Sequence, residues 1–301
     1  MKFLLAPMES VSDVGFRALC FQNGAAYTWT EMVRARALVR GNRATLDLVD
    51  THDPDTPTGV QLLVTGAQEL TDALEVLAAL PHFKNVTGVD LNFGCPSPDV
   101  IKIGAGPALL KRRAKLRSIF EALAQAKKTH ALKSVSAKIR LGLNQQEQEH
   151  KVYVPVVEMA NDTLDFLTIH ARHAKQRSRD APTWAAIGEA RAHAKIPIVG
   201  NGDVFTRADA ERMHTETGVD TFLIARAAIR DPWCFREMTG IGAPVTLADV
   251  DHAIRAYRAA AEKHATKDKF RAFHAENFAR IRARLEGVTA DVVIPKNAHM
   301  W

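Results

Sequence analysis

The sequence predicts an α/β fold, a (β/α)8 TIM barrel followed by a small C-terminal helical domain, on three observations. Short, nearly continuous apolar runs alternate with amphipathic stretches of helix length, eight such runs precede residue 242, and beyond a Gly/Pro cluster the pattern turns wholly helical. Strands that read as unbroken apolar segments are those buried on both faces, as a parallel sheet flanked by helices requires. Eight β-then-α units close naturally into a barrel, with a doubly wound open sheet as the alternative arrangement.

The candidate strands occupy residues 2–6, 27–32, 60–64, 86–92, 134–140, 165–171, 196–200 and 221–225. Between them, 66–80, 115–129 and 207–217 carry helical periodicity. The cluster Gly240-Ile241-Gly242-Ala243-Pro244 breaks the alternation and sets the expected domains at 1–242 and 243–301. From about Thr246 to Leu285, the apolar anchors Ile254, Tyr257, Ala261, Phe270, Phe273, Phe278 and Ile281 recur at helical spacing, so two or three helices are expected there. Residues 292–301 show no readable structure, and no internal repeat or low-complexity tract stands out.

A hydrophobic fraction of 47% and a charged fraction of 25% over 301 residues fit a folded soluble domain and disfavour disordered, collagenous and membrane classes. No run approaches the roughly 18 apolar residues that span a bilayer. The opening Met1-Lys2-Phe3-Leu4-Leu5-Ala6-Pro7-Met8-Glu9 meets an acid too early for a signal peptide, so a cytoplasmic location without membrane attachment is expected. Three cysteines, Cys20, Cys95 and Cys234, without a C-x-x-C pair argue against a disulfide framework and against a metal site. The net charge of +6 gives a modest attraction for a polyanion, which ordinary surface variation explains equally well.

In such barrels the active site is assembled from the loops at the C-terminal ends of the strands. Polar and special residues fall there in number: Pro7 and Met8 after the first run, Gln61 in the third, Asn92 and Cys95 after the fourth, Lys138 and Arg140 in the fifth. His170 and Arg172 close the sixth, Asn201, Gly202 and Asp203 the seventh, Ala225 and Arg226 the eighth. Gly202 and Arg226 fit the phosphate site that the last two loops of a barrel commonly form, which calls for a phosphate-bearing cofactor. A lysine inside a barrel strand, Lys138, is costly unless an anionic or electron-rich group meets it. Cys95, in a tight Gly94-Cys95-Pro96 turn, carries a thiol that stays largely protonated at neutral pH and can give up a proton. Cys20, on a helix, and Cys234, beside Trp233 and Phe235, read as small core residues. Asn92 either orients a substrate through its amide or caps its own turn.

Taken together, Leu5-Ala6-Pro7-Met8, Asn92-Phe93-Gly94-Cys95-Pro96 with Gly104-Ala105-Gly106-Pro107-Ala108-Leu109-Leu110-Lys111, Ile196 through Asp203, and Asp231-Pro232-Trp233 resemble the tRNA-dihydrouridine synthases, FMN-dependent enzymes, over residues 2–236. The resemblance implies FMN across the barrel mouth, with Pro7 and Met8 against its ring and Gln61 and Lys138 at its pyrimidine edge. It places His170, Asn201, Gly202, Asp203, Ala225 and Arg226 toward the ribityl phosphate, and Asn92, Arg140 and Arg172 toward the substrate. It further implies NADPH as reductant, hydride transfer from flavin N5 to uracil C6 of a tRNA uridine, and a proton from Cys95 to C5.

The chain departs from the family's pattern at several points. Ser10 stands where a glycine is common, Asp99 where many members carry a lysine, and His170-Ala171-Arg172-His173 replaces the more usual His-Gly-Arg-Thr. From Ala243 onward ten Lys or Arg stand against seven Asp or Glu, with Arg280, Arg282 and Arg284 clustered; these either meet phosphate or form a solvated helix face. The same chemistry on ribosomal RNA, and flavin-dependent reduction of a free pyrimidine or another small enone, remain as alternatives. No obligate protein partner is implied.

Overall fold

The computed structural model describes residues 1–49, 53–264 and 266–288. Residues 292–301, in which the sequence shows no readable structure, lie outside the described residues. Among the described residues run eight strands: β1 (Lys2–Leu5), β2 (Thr28–Arg34), β3 (Thr58–Leu63), β4 (Val86–Phe93), β5 (Ser134–Arg140), β6 (Phe166–His170), β7 (Ile198–Asn201) and β8 (Thr221–Ile224). Their order is β1-β8-β7-β6-β5-β4-β3-β2 and every pairing is parallel. The Leu5 N–H donates to the Tyr27 carbonyl at 2.9 Å and the Ala26 N–H to that of Phe3 at 2.7 Å. These bonds join β1 to the segment entering β2, so the sheet closes into the predicted barrel and the open-sheet alternative falls away.

Each predicted strand is present, displaced by no more than two residues at either end, and the predicted helices are found at Ala67–Ala78, Arg113–Thr129 and Arg207–Thr217. The last of these is bounded by local chemistry. Thr206 and Asp209 cap each other's backbone at its start, and Gly218, at φ +72°, ends it in the left-handed conformation.

The bottom of the barrel is plugged by an aromatic side chain. Trp29 of β2 reaches across to Phe166 of β6, ring centroids 6.3 Å apart. Its path is open only because residue 59 is glycine: a Cβ there would come within 2.0 Å of the Trp29 ring. The upper half, by contrast, carries polar side chains on the inward row, since alternate residues of a strand share a face.

After the barrel, two helices follow, Leu247–Lys263 and Asp268–Leu285. Val250, Ala253, Tyr257, Ala261, Phe278 and Ile281 bury against Leu19 and Trp233 of the barrel's outer layer. Polar contacts fix the dock. Tyr257 Oη donates to Asp13 Oδ2 at 2.9 Å, and His274 Nε2 lies 3.2 Å from the same oxygen and 3.0 Å from the Val11 carbonyl. Burial works against the Asp13 charge, yet the neighbouring His274 and the hydrogen bonds it receives hold its carboxyl below the ordinary carboxylate value. Asp13 also caps the Val14–Gln22 helix through the Phe16 N–H. The second helix therefore grips the segment that carries the β1 loop, and through it the barrel mouth.

Candidate active site

The C-terminal ends of seven strands converge on one open cavity at the barrel mouth. Of the residues singled out in the sequence, Pro7, Gln61, Asn92, Cys95, Lys138, Asn201 and Ala225 line it. Ala6, Glu9, Met32 and Gly94 complete the lining. Glu9 was legible as a polar residue at a strand end, whereas nothing in the sequence marks Met32.

The Cys95 turn is held by a continuous hydrogen-bond chain. Asn92 Oδ1 accepts the backbone N–H of both Gly94, at 3.0 Å, and Cys95, at 2.9 Å. Its Nδ2 donates to Gln61 Oε1 at 2.8 Å, and Gln61 Nε2 donates to Asp90 Oδ2 at 2.7 Å. Ser136 Oγ donates to the other carboxylate oxygen at 2.6 Å. Asn92 thus caps its own turn, one of the two roles its position suggested. Arg140, expected to face the substrate, is 1% exposed and donates through Nε to the Gly94 carbonyl at 2.8 Å, bracing the turn from behind.

Burial sets the charge states. It pushes the Cys95 thiol above its ordinary value, a push that the Ser97 backbone and the nearby Arg140 and Arg34 only partly offset, so the thiol carries its proton at neutral pH. Lys138 is brought down to about 7, first by burial and then by Arg140, with Asp90 and Cys95 opposing. Burial also raises Asp90 to about 6 against the hydrogen bonds from Ser136 and Gln61.

A second cluster sits behind the cavity at the ends of β6, β7 and β8. Arg172 binds the Asp203 carboxylate through both terminal nitrogens, and Arg226 pairs with the same carboxylate. Arg172, expected toward the substrate, is thereby grouped with Asp203 and Arg226 and is absent from the cavity lining. Gly202, at φ +129°, and Asp203, at φ +56°, turn the chain beneath His170, whose Cδ2 would lie 3.3 Å from a Cβ on residue 202. Met8, expected against a flavin ring, is 0% exposed and packs into the core, its N–H bonded to Ser12 Oγ.

Two buried polar atoms at this corner have no partner among the described residues: His170 Nδ1 and Asn201 Oδ1. Burial, reinforced by Arg140, Lys138, Arg172 and Arg226, drives the His170 imidazole well below its ordinary value, so the ring is neutral. With Nε2 facing the Arg172 guanidinium at 3.4 Å, the ring proton belongs on Nδ1. The corner therefore offers one unused donor, His170 Nδ1–H, and one unused acceptor, Asn201 Oδ1, among four cationic side chains.

Ser10 adopts φ +64°, the left-handed conformation that explains the preference for glycine at this place. Its N–H donates to Glu31 at 2.6 Å and its hydroxyl accepts from Lys269 of the last helix at 3.3 Å, which offset the strain.

A (β/α)8 barrel whose mouth gathers a protonated thiol, a lysine and oriented amides has the architecture of a barrel enzyme. The sequence profile described as "Dihydrouridine synthase (Dus)" matches residues 4–293, and the chain belongs to that family. A probable tRNA-dihydrouridine synthase of Aquifex aeolicus is 34% identical over 236 residues, covering 78% of this chain and 71% of its own. The tRNA-dihydrouridine synthase B of Xanthomonas axonopodis pv. citri is 32% identical, covering 79% and 68%. Among solved structures, histamine dehydrogenase from Rhizobium sp. 4-9 superposes with a TM-score of 0.57 at 13% identity, over 86% of this chain. That match extends to the fold, and the chain spans about half the length of that structure, 48%.

Among the described residues no helix is long and apolar enough to cross a membrane, and no group of three or more His, Cys, Asp or Glu is placed to hold a metal ion.

Proposed function

We propose that this chain reduces uridine in tRNA to 5,6-dihydrouridine, with FMN as cofactor and NADPH as the reductant. The observation that carries the reading is the shared cavity: the protonated Cys95 thiol and the Lys138 side chain line one mouth with Gln61, Asn92 and Asn201. Family membership supplies the reaction class, and the names of the relatives supply tRNA.

The residues present suit FMN. Its ribityl chain carries hydroxyls that donate and accept, matching the unused His170 Nδ1–H and Asn201 Oδ1. Its phosphate matches the Arg172 and Arg226 guanidiniums, which Asp203 now holds in place, beside Gly202. Pro7 and Ala225 offer the ring an apolar wall, and Gln61 and Lys138 polar contacts at one edge. When bound, FMN would supply the hydride for uracil C6.

The chain's own residues do the rest. Cys95 gives its proton to C5, on the side of the uracil opposite the hydride. Asn92 and Arg140 keep the turn that carries the thiol in place. A uridine of folded RNA must leave its stack to enter the cavity. Residues 1–242 would carry the chemistry, and 243–301 would contribute to RNA docking. Arg280 and Arg282 are already paired with Glu276, Asp251 and Glu286, so the stronger phosphate-binding face lies beside the mouth, where the exposed Arg34, Arg36 and Arg40 line a groove with Ile103.

The test is the visible spectrum of the purified protein followed by incubation with NADPH and unmodified tRNA, with mass spectrometry for a gain of two hydrogens on uridine. A yellow protein whose product gains that mass supports the reading. Flavin binding with every tRNA unchanged overturns the substrate and turns attention to ribosomal RNA and small enones; absence of flavin binding overturns the cofactor.

A further inference from the structure

The hydrogen-bond chain beneath the cavity has a direction. Turning the Gln61 or Asn92 amide over exchanges donor for acceptor while leaving its shape almost unchanged, so shape alone gives each of them two orientations. Ionised Asp90 has no such freedom, because a carboxylate only accepts. It takes Nε2 of Gln61 at 2.7 Å, which turns Gln61 Oε1 toward Asn92 Nδ2 at 2.8 Å, which in turn leaves Asn92 Oδ1 for the N–H groups of Gly94 and Cys95. Were the amides reversed, Asn92 would aim its NH2 at two backbone donors in a buried turn, leaving all of them unsatisfied.

We propose that Asp90 is a positioning residue for Cys95, its carboxylate fixing the polarity of the Gln61 and Asn92 amides and thereby the turn that presents the thiol. Asp90 is 3% exposed and does not line the cavity, so it acts only through its neighbours. It lies two residues before Asn92 on β4 and therefore on the same inward face, with its other oxygen held by Ser136 of β5. The catalytic consequence rests on the reading of Cys95 as the proton donor; the positioning itself rests on geometry alone.

The probe is alkylation of the cysteines by iodoacetamide across a pH series, read peptide by peptide by mass spectrometry in the intact protein. Cys20 and Cys234, both buried, are internal controls for the fold. Asp90→Ala is expected to speed Cys95 labelling about tenfold, the scale of one lost hydrogen bond. It should also move the pH profile of that labelling downward, because a loosened turn loses the burial that holds the thiol up. Cys20 and Cys234 should stay protected. In an Asn92→Ala background the same substitution should add nothing, since its route to the thiol is already cut.

Unchanged Cys95 labelling in Asp90→Ala, or effects that add in the double variant, overturns the proposal. If Asp90→Ala also exposes Cys20 and Cys234, Asp90→Asn decides: its amide accepts on one side and donates on the other, so the orientation becomes ambiguous and intermediate labelling is expected, whereas wild-type labelling overturns the proposal. On uridine reduction, Asp90→Asn should lower kcat with the KM for tRNA unchanged. A wild-type protein that leaves uridine unreduced defeats the proposed function while the labelling experiment still judges Asp90.

Discussion

Tyr257 donates its phenolic hydrogen to the Asp13 carboxylate at 2.9 Å, across a sequence separation of 244 residues, and so ties the C-terminal helices to the loop leaving β1. The acceptor is buried, charged and also caps a helix, which places this bond among the stronger ones. Tyr257→Phe keeps the ring and removes the hydrogen bond, and is expected to cost about 2 kcal/mol. Thermal unfolding would show it as a fall of a few degrees in Tm.

Asp13 also gives the stability a pH dependence of known sign. Its folded value lies below its unfolded one, so its contribution is complete above the ordinary carboxylate range and disappears as pH falls through the lowered value. Denaturant titrations between pH 6 and about 3 should show a loss of stability that Asp13→Asn, already weakened at pH 6, does not share to the same extent.

Lys138 gives the same sign in a higher pH window, from the opposite charge. Its value of about 7 in the folded, cofactor-free protein lies below the ordinary 10.5, so the unfolded chain binds the extra proton between those limits and stability rises with pH across that window. Lys138→Met should flatten the rise in Tm between pH 7 and 9 in flavin-free protein. It should also weaken flavin retention, measured by the absorbance that survives gel filtration.

Cys95→Ala removes the proton donor without touching the cluster of His170, Arg172, Asp203 and Arg226. Flavin content should match the wild type while single-turnover uridine reduction slows by about a hundredfold or more, the usual contribution of a general acid. Equal rates would remove Cys95 from the mechanism.

Gly59→Ala places a methyl group where the Trp29 ring lies 2.0 Å away. The ring is braced by Tyr27 and Phe166 and cannot yield, so a loss of about 3 kcal/mol is expected in chemical denaturation, at the upper end of overpacking costs. Trp29→Leu in the same chain should recover part of that loss.

Arg36→Glu with Arg40→Glu should weaken tRNA binding and reduce the slope of log affinity against log salt by about one for each phosphate no longer neutralised. Filter binding at a series of salt concentrations measures both. NADPH oxidation in the absence of RNA should be unaffected.

The barrel was legible because its signals are local. A strand buried on both faces must be apolar along its length wherever it sits in the chain, and a helix between two such strands must show a period of 3.6. The same locality exposed most of the site: a strand end is recognisable from sequence, so Pro7, Gln61, Asn92, Cys95, Lys138, Asn201 and Ala225 were found before their convergence was known.

What the linear pattern leaves open is which way a side chain turns and what it meets, because those partners are distant in the chain. Met8 sits beside Pro7, yet one enters the core and the other the cavity. Arg140 and Arg172 occupy strand ends like the others, but backbone carbonyls and Asp203 engage them first. Residue identity along the chain specified the barrel, its mouth and the thiol. Only packing of β3, β4 and β5 side by side joined Gln61, Asp90, Asn92 and Ser136 into one chain, and only burial in that company moved Lys138 and Asp90 toward neutrality. A pKa and a hydrogen-bond direction depend on the dielectric and the donors supplied by residues far away in sequence, and those exist only once the barrel has closed.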